Sequence, residues 1–375
     1  MTHRSIRART VLAALTGAAV IAAVTGAPTG AGAAPVSTLD AAVARIVAAA
    51  PSDAQLASAS DAELARLAVR CLPIDGMTYC LHKGWMPEGF DQAALTSQVS
   101  AAAADAGGTG DLPFAAGLRR WAGKPRATRE AVEKAELAEA RAAVGKVVYF
   151  DAVAKGRPLP ADFATRYPAF ASWVTPSATT TAATTSLAAQ TFYDTIRSDR
   201  AKKQETGYYC GPTSLQAFAW NDPVSPNNKN QAYWADVLNV GPGGSTYVYD
   251  LKDAINTYTN WDRTDYAGKY IVISITSWTD ADWARIMRNH IVDRRSPVQL
   301  HPKLSPAVSS YYPGTTSGHF DVGEGYYING GNISIFEPAG GAAQNYVYPS
   351  LFATETITNV RKANLANTGQ RNIAY

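Results

Sequence analysis

One cysteine of the chain is placed where a reactive thiolate is expected. Cys210 is followed directly by Gly211 and Pro212, and the segment then runs on through apolar residues to Trp220. Proline fits the first turn of a helix, where its missing N–H costs no hydrogen bond, so a helix is predicted to begin at Cys210. The dipole and the free N–H groups of a helix N-terminus favour thiolate over thiol. The chemistry that this placement predicts is nucleophilic attack by Cys210.

A glutamine stands close before the cysteine in sequence. Gln204 lies six residues upstream of Cys210, and a side-chain amide at that offset can fold back toward the sulfur. Together with the backbone N–H of Cys210 it would donate hydrogen bonds to a developing oxyanion. The non-catalytic interpretation makes Gln204 a solvated loop residue and Cys210 a buried structural thiol. The presence of a glutamine at this offset favours the catalytic interpretation.

A thiolate nucleophile requires a histidine as base and as pairing cation. Beyond residue 33 the sequence offers His82, His290, His301 and His319. His319 begins an alternating stretch in which Gly318 and Gly323 allow close packing, and a strand would hold the imidazole rigidly. His301 ends an apolar stretch and could line the same cleft, but Pro302 after it indicates a loop. We therefore expect His319 to be the base and His301 to be the rival.

The imidazole should be oriented by a carboxylate or an amide. Glu337 follows the stretch Ile333–Phe336, and a tight turn before that stretch would return it alongside His319. Asp321 lies two residues after His319 on the same predicted strand face and is the alternative. A purely structural interpretation makes Glu337 a turn residue before Pro338.

The elements that must hold these residues predict an α+β fold. Helices are expected near Asn230–Leu238 and Tyr247–Tyr258, and a third begins at the Thr279 cap. Strands are expected at four places: Tyr270–Ile275, Pro297–Leu300, His319–Ile328 and Ile333–Phe336. The last two should form a β-hairpin through the Asn-Gly-Gly turn at residues 329–331.

The preceding half differs in composition and is predicted to be mostly α-helical. Residues 34–174 are rich in alanine, with a capping box at Ser60–Glu63 and a long helix over about Thr128–Ala154. His82 is expected to be an exposed or capping histidine. Residues 175–190 are biased toward Thr, Ser and Ala and predict a linker. The second domain is therefore placed at residues 191–375.

The first 33 residues are typical of a secretory signal peptide. Arg4, Arg7 and Arg9 precede the apolar run Val11–Val24, and small residues end at Ala33. Without these three arginines the formal net charge falls from +3 to zero. The remainder gives no indication of a nucleic-acid partner or a membrane anchor, and we expect a secreted protein.

The three cysteines of the chain are expected to lie in an oxidising compartment. Cys71 and Cys80 bracket a short loop in which Pro73, Asp75 and Gly76 can turn the chain, so a disulfide between them is plausible. Cys210 is then the cysteine left over. Pairings that involve Cys210 stay open from the sequence alone.

The set formed by Gln204, Cys210-Gly-Pro, Gly318-His319 and the acid before Pro338 resembles the bacteriocin-processing, double-glycine-type cysteine peptidases, and in particular their secreted stand-alone relatives. The resemblance covers roughly residues 191–350. It implies a papain-like domain with an oxyanion glutamine at Gln204, a nucleophile at Cys210, a base at His319 and a third member at Glu337. The family usually has Asp before that proline, and Glu337 is one methylene longer. The transporter domains of the leader peptidases are lacking, so cleavage after a double glycine is not implied.

The leading hypothesis is a secreted cysteine peptidase that acts on a peptide or protein substrate without a metal or cofactor. The N-terminal half would be an inhibitory pro-region or an adhesion module. Two alternatives stay open. One is a non-catalytic module on the same fold that binds a peptide or cell-wall fragment, and the other is a transglutaminase-like acyltransferase.

Overall fold

The fold is known from a computed structural model. It describes residues 38–87, 90, 110–174, 192–312, 314–316, 318–328, 331–340 and 350–375. The predicted signal peptide at 1–33 and the predicted linker at 175–190 lie outside the described residues. Residues Leu39–Tyr375 form one compact unit.

A mixed, mostly antiparallel sheet is the central layer. In the described part of the chain its ten strands are β1 (Cys71–Ile74), β2 (Met77–Cys80), β3 (Gly84–Met86), β4 (Phe192–Asp194), β5 (Val272–Ser274), β6 (Val298–Leu300), β7 (Asp321–Tyr327), β8 (Asn332–Phe336), β9 (Phe352–Thr356) and β10 (Asn372–Ala374). The order is β1-β2-β3-β5-β10-β6-β7-β8-β9, and β4 pairs with β7. The pairing of β3 with β5 is parallel. This architecture agrees with the predicted α+β class.

Helices cover the sheet. Their bounds are α1 (Thr38–Ala48), α2 (Asp53–Ser58), α3 (Asp61–Ala68), α4 (Phe114–Ala122), α5 (Arg126–Lys155), α6 (Phe163–Arg166), α7 (Cys210–Trp220), α8 (Gln231–Val237), α9 (Val248–Tyr258), α10 (Asp280–Arg288) and α11 (Ile357–Ala366). Those expected from sequence are present to within a few residues, and Ser60 and Thr279 form capping boxes. A short π-helix at Asn289–Asp293 extends α10. None of the helices in the described ranges has both the length and the apolar character of a membrane span.

The predicted hairpin near the site is confirmed. Strands β7 and β8 pair antiparallel, with Val322 opposite Phe336 and an irregularity between Gly323 and Gly325. Because Asp321 precedes Val322 and Glu337 follows Phe336, continuing this register brings the two carboxylates to the same end of the hairpin.

The N-terminal half, which the sequence analysis predicts to be mostly helical, contains strands as well as helices. It contributes β1–β3, which join the sheet through the pairing of Trp85 with Ile273. The expected disulfide between Cys71 and Cys80 is present and links β1 to β2. One hydrophobic core contains Trp85 and Val147 as well as Ile273, so residues from both sides of the 175–190 segment pack together.

His82 is buried, which differs from the exposed or capping position expected. Its Nε2 lies 3.6 Å from Glu133 Oε1 and its Nδ1 lies 3.7 Å from Glu136 Oε2. These glutamates come from the long helix α5. Carboxylate partners inside the protein make burial of a polar ring tolerable.

Candidate active site

Cys210 is the first residue of α7, as the sequence predicted. The helix is entered from Tyr209, whose carbonyl accepts a 2.8 Å hydrogen bond from the Thr213 N–H. Cys210 is fully buried and is not part of the disulfide. A Cβ on Gly211 would lie 2.1 Å from Thr246 Oγ1. Glycine is therefore needed after the cysteine so that Thr246 can approach the start of α7 closely.

His319 meets two carboxylates at one ring nitrogen. Its Nε2 lies 2.7 Å from Glu337 Oε1 and 3.1 Å from Asp321 Oδ1. The backbone N–H of His319 donates to the Pro302 carbonyl at 2.8 Å, which fixes the residue just before β7. Both carboxylates lie at Nε2, so neither of them contacts His319 through Nδ1.

Both candidates for the third member contact the imidazole, and Glu337 is the nearer. The same Oε1 of Glu337 accepts a 2.7 Å hydrogen bond from the Ala339 N–H, which holds the carboxylate in place. Asp321 accepts a 2.8 Å hydrogen bond on Oδ2 from the Tyr311 hydroxyl. All three side chains of this cluster, His319, Asp321 and Glu337, are buried.

The charges of the cluster favour a protonated imidazole. Burial alone lowers the pKa of His319, but the charges of Glu337, Asp321 and Cys210 outweigh it and hold the pKa well above its usual value. Burial and the neighbouring Asp321 raise the pKa of Glu337 to about 7.

Gln204 is buried beside the third member of the cluster. Its backbone N–H donates a 2.7 Å hydrogen bond to the Pro338 carbonyl. Gln231 on α8 fixes both neighbours, because its Oε1 accepts from the Glu205 N–H and its Nε2 donates to the Lys203 carbonyl, each at 2.8 Å. Among the described residues no group hydrogen-bonds to Gln204 Oε1.

Among the described residues, the cluster of His319, Asp321 and Glu337 is also the candidate metal site. One ligand atom each from His319, Asp321 and Glu337 lie within 4.8 Å of one another, and an imidazole with two carboxylates is a donor set that divalent metals accept. A bound metal would take His319 Nε2 away from its hydrogen bond to Glu337. The sequence analysis had found no metal cluster because the spacing of these residues does not resemble a ligand motif.

A segment of the N-terminal half reaches Cys210, although every candidate site residue chosen from the sequence lies in the second half. A Cβ on Gly110 would lie 2.9 Å from Cys210 Sγ and 2.7 Å from the Tyr208 carbonyl oxygen. The Gly110 carbonyl accepts from the Thr246 N–H, and the Leu112 N–H donates to the Thr246 carbonyl, each at 2.7 Å. These bonds make a parallel bridge. We call residues Gly110–Leu112 the cleft segment.

The side chain of the cleft segment is held by residues of the second half. Asp111 Oδ1 lies 2.9 Å from His301 Nε2, and the Gln370 amide donates to both carboxylate oxygens at 3.3 Å. A Cβ on Gly318 would lie 2.1 Å from Asp111 Oδ2. His301, the rival base, therefore faces Asp111. The signal that could have found this contact is an isolated Gly-Asp at positions 110–111, which is too common a pair to be distinctive.

Comparison of the chain with protein-family models, with curated proteins and with solved structures finds no match.

Proposed function

We propose that this protein is a secreted, papain-like cysteine peptidase, with Cys210 as nucleophile, His319 as acid and base, Glu337 as the group that orients the ring, and Gln204 in the oxyanion hole. The observation that carries the proposal is the hydrogen bond of 2.7 Å between His319 Nε2 and Glu337, on a ring that also interacts with the charge of Cys210. The disulfide between Cys71 and Cys80 supports an oxidising compartment.

The reaction follows from these positions. The Cys210 thiolate attacks the carbonyl carbon of a peptide bond, and the oxygen of the tetrahedral intermediate accepts hydrogen bonds from the Gln204 amide and the Cys210 N–H. The His319 imidazolium transfers its Nδ1 proton to the leaving amine as the C–N bond breaks. Water then gives a proton to His319 and attacks the thioester, which releases the acid and restores the Cys210 thiolate.

The buried carboxylates have a definite part in this sequence. Asp321 and Glu337 lie at the nitrogen that does not exchange protons, so they stabilise the imidazolium without competing for the substrate. The pKa of Glu337, raised to about 7 by burial and by Asp321, limits how much negative charge the cluster carries at neutral pH.

The N-terminal half is proposed to hold the enzyme in a closed state. Gly110 lies against Cys210, and the cleft segment takes both backbone hydrogen bonds of Thr246. A substrate strand needs the same edge and the same access to the sulfur. Displacement of the cleft segment is therefore required before Cys210 can react, which accounts for the burial of a nucleophile.

Labelling with iodoacetamide tests the catalytic pair. The other two cysteines of the chain are joined in the disulfide, so Cys210 is the residue that reacts. In Gly110→Leu, where the segment is displaced, labelling below pH 7 should be fast, and adding His319→Ala should slow it by about tenfold or more. Slow labelling that does not depend on His319 would contradict the proposal.

Hydrolysis of a diverse peptide library tests the activity itself. The Gly110→Leu protein should cleave peptides, and the same protein with Cys210→Ala should not. Fast labelling without cleavage would favour the peptide-binding alternative. Products in which an added amine has replaced the leaving group would identify the transglutaminase-like one.

A further inference from the structure

The Asp111 carboxylate occupies a site that other parts of the chain have built. His301 follows β6 and Gln370 precedes β10, and both are buried. Neither residue belongs to the N-terminal half. The acid thus comes from one part of the chain and its two partners from another, with Gly318, the neighbour of His319, close against it.

The orientation of His301 does not depend on Asp111. Its Nδ1 lies 2.7 Å from Asn372 Oδ1, and its ring stacks on Phe320 with centroids 4.5 Å apart and planes 11° apart. Its backbone is held as well, because the His301 N–H donates to Asn364 Oδ1 and the Asn367 amide donates to the His301 carbonyl. The ring would keep its position if the aspartate left.

The backbone of Gln370 is fixed independently too. Its carbonyl accepts a 3.2 Å hydrogen bond from Lys83 Nζ, and its N–H donates to the Asn367 carbonyl at 3.1 Å. The Gln370 amide also donates to the Leu112 carbonyl at 3.1 Å. Its side-chain donors are therefore aimed at the position that the cleft segment occupies, where an extended peptide paired with Thr246 would pass.

We propose, on the basis of the proposed peptidase function, that His301 and Gln370 form a substrate subsite that binds the carboxylate of an Asp or Glu next to the scissile bond. The chemistry matches this ligand, since both ring nitrogens of His301 face oxygens and the Gln370 amide reaches both oxygens of the acid. The cleft segment fills the subsite with its own Asp111. Displacing it leaves a preformed site for an acid.

Matched peptides test the subsite. In the full chain carrying Gly110→Leu, which displaces the cleft segment, together with Asp111→Ala, peptides with Asp next to the scissile bond should be cleaved about tenfold faster in kcat/KM than the same peptides with Asn, because hydrogen bonds to charged groups are the stronger ones. Adding Gln370→Leu should bring this ratio close to one. Equal cleavage of both peptides by this double variant would overturn the subsite while leaving the peptidase in place.

A second measurement does not depend on hydrolysis. N-acetylaspartate amide should protect Cys210 of the protein carrying both Gly110→Leu and Asp111→Ala from iodoacetamide, and N-acetylasparagine amide should not. Protection without cleavage of any peptide would keep the subsite and reject the peptidase function. No protection, together with equal cleavage, would reject the subsite.

If Asp111→Ala does not fold, as judged by circular dichroism, Gln370→Leu in the otherwise unchanged chain supplies the test. It should weaken the hold on Asp111 and raise the labelling rate of Cys210 about tenfold. An unchanged rate in that folded variant would count against the subsite.

Discussion

The backbone N–H of Gln204 donates a 2.7 Å hydrogen bond to the carbonyl of Pro338. This bond joins the loop before the nucleophile helix to the turn that carries Glu337. Two residues that are far apart in sequence are thereby set on the same side of the cluster. The proposed oxyanion donor and the residue proposed to orient the base therefore share one support.

Gln204→Ala should separate the two parts of the mechanism. The amide is needed only when an oxyanion forms, so kcat/KM for peptide cleavage should fall by about 100-fold or more. Alkylation of the thiolate by iodoacetamide forms no oxyanion, so its rate should stay the same. Both rates are measured in the Gly110→Leu protein. The control is Glu205→Gln, which changes the exposed neighbour of Gln204. A parallel loss of both rates would show that Gln204 supports the fold of the site instead.

Gly110→Leu should open the cleft. Gly110 has φ +92°, a conformation that L side chains rarely adopt, and an added Cβ would meet Cys210 Sγ at 2.9 Å. A strain of this kind costs on the order of 1–3 kcal/mol, so the labelling rate of Cys210 should rise by about tenfold or more. Gly241→Ala is the matched control, because a Cβ there meets nothing within 4 Å. Unchanged labelling in Gly110→Leu would argue against a closed state.

Glu337→Gln should lower activity more than Asp321→Asn does. Glu337 is the nearer acceptor of His319 Nε2, at 2.7 Å against 3.1 Å. We expect losses in kcat/KM of roughly 100-fold and roughly tenfold, respectively. Each variant also removes a charge that raises the pKa of His319, so the alkaline limb of the pH profile should move to lower pH. The reverse ranking would assign the orienting role to Asp321.

Local signals made half of this site predictable from the sequence. Pro212 indicates the start of α7, and the Asn-Gly-Gly sequence predicts a hairpin of β7 and β8, so the proposed residues Cys210, His319 and Glu337 could be selected without coordinates. Such signals act over a few residues, which is why the α+β class and most element bounds in the second half could also be predicted.

The rest of the site depends on contacts between distant parts of the chain. Asp111 meets His301 and Gln370 only after the sheet has assembled, and β10 enters between β5 and β6 as a strand of three residues. Short strands carry too little alternation to stand out. The three strands of the N-terminal half were missed for the same reason.

Glu324 should make the folded state less stable as the pH rises. Burial raises its pKa from 4.5 to about 7, so the folded state holds a proton that the unfolded chain releases. The resulting stabilisation is complete below about pH 4.5 and is lost as the pH rises through about 7. The loss should be about 3 kcal/mol. Urea unfolding at pH 5 and pH 8 measures it, and Glu324→Gln should reduce the difference between the two. An equal difference in the variant would assign the effect to other groups.

Removal of metal ions should leave peptide cleavage unchanged. If His319 acts as the base of Cys210, its Nε2 must stay hydrogen-bonded to Glu337, and a metal held by His319, Asp321 and Glu337 would compete for that nitrogen. Treatment of the Gly110→Leu protein with EDTA should therefore preserve kcat/KM, and added Zn²⁺ should inhibit it. Asp321→Asn should weaken the inhibition, because it removes one ligand and leaves the hydrogen bond to Glu337. Loss of activity in EDTA that Zn²⁺ restores, with Cys210→Ala still active, would replace the thiolate mechanism by a metal-dependent one.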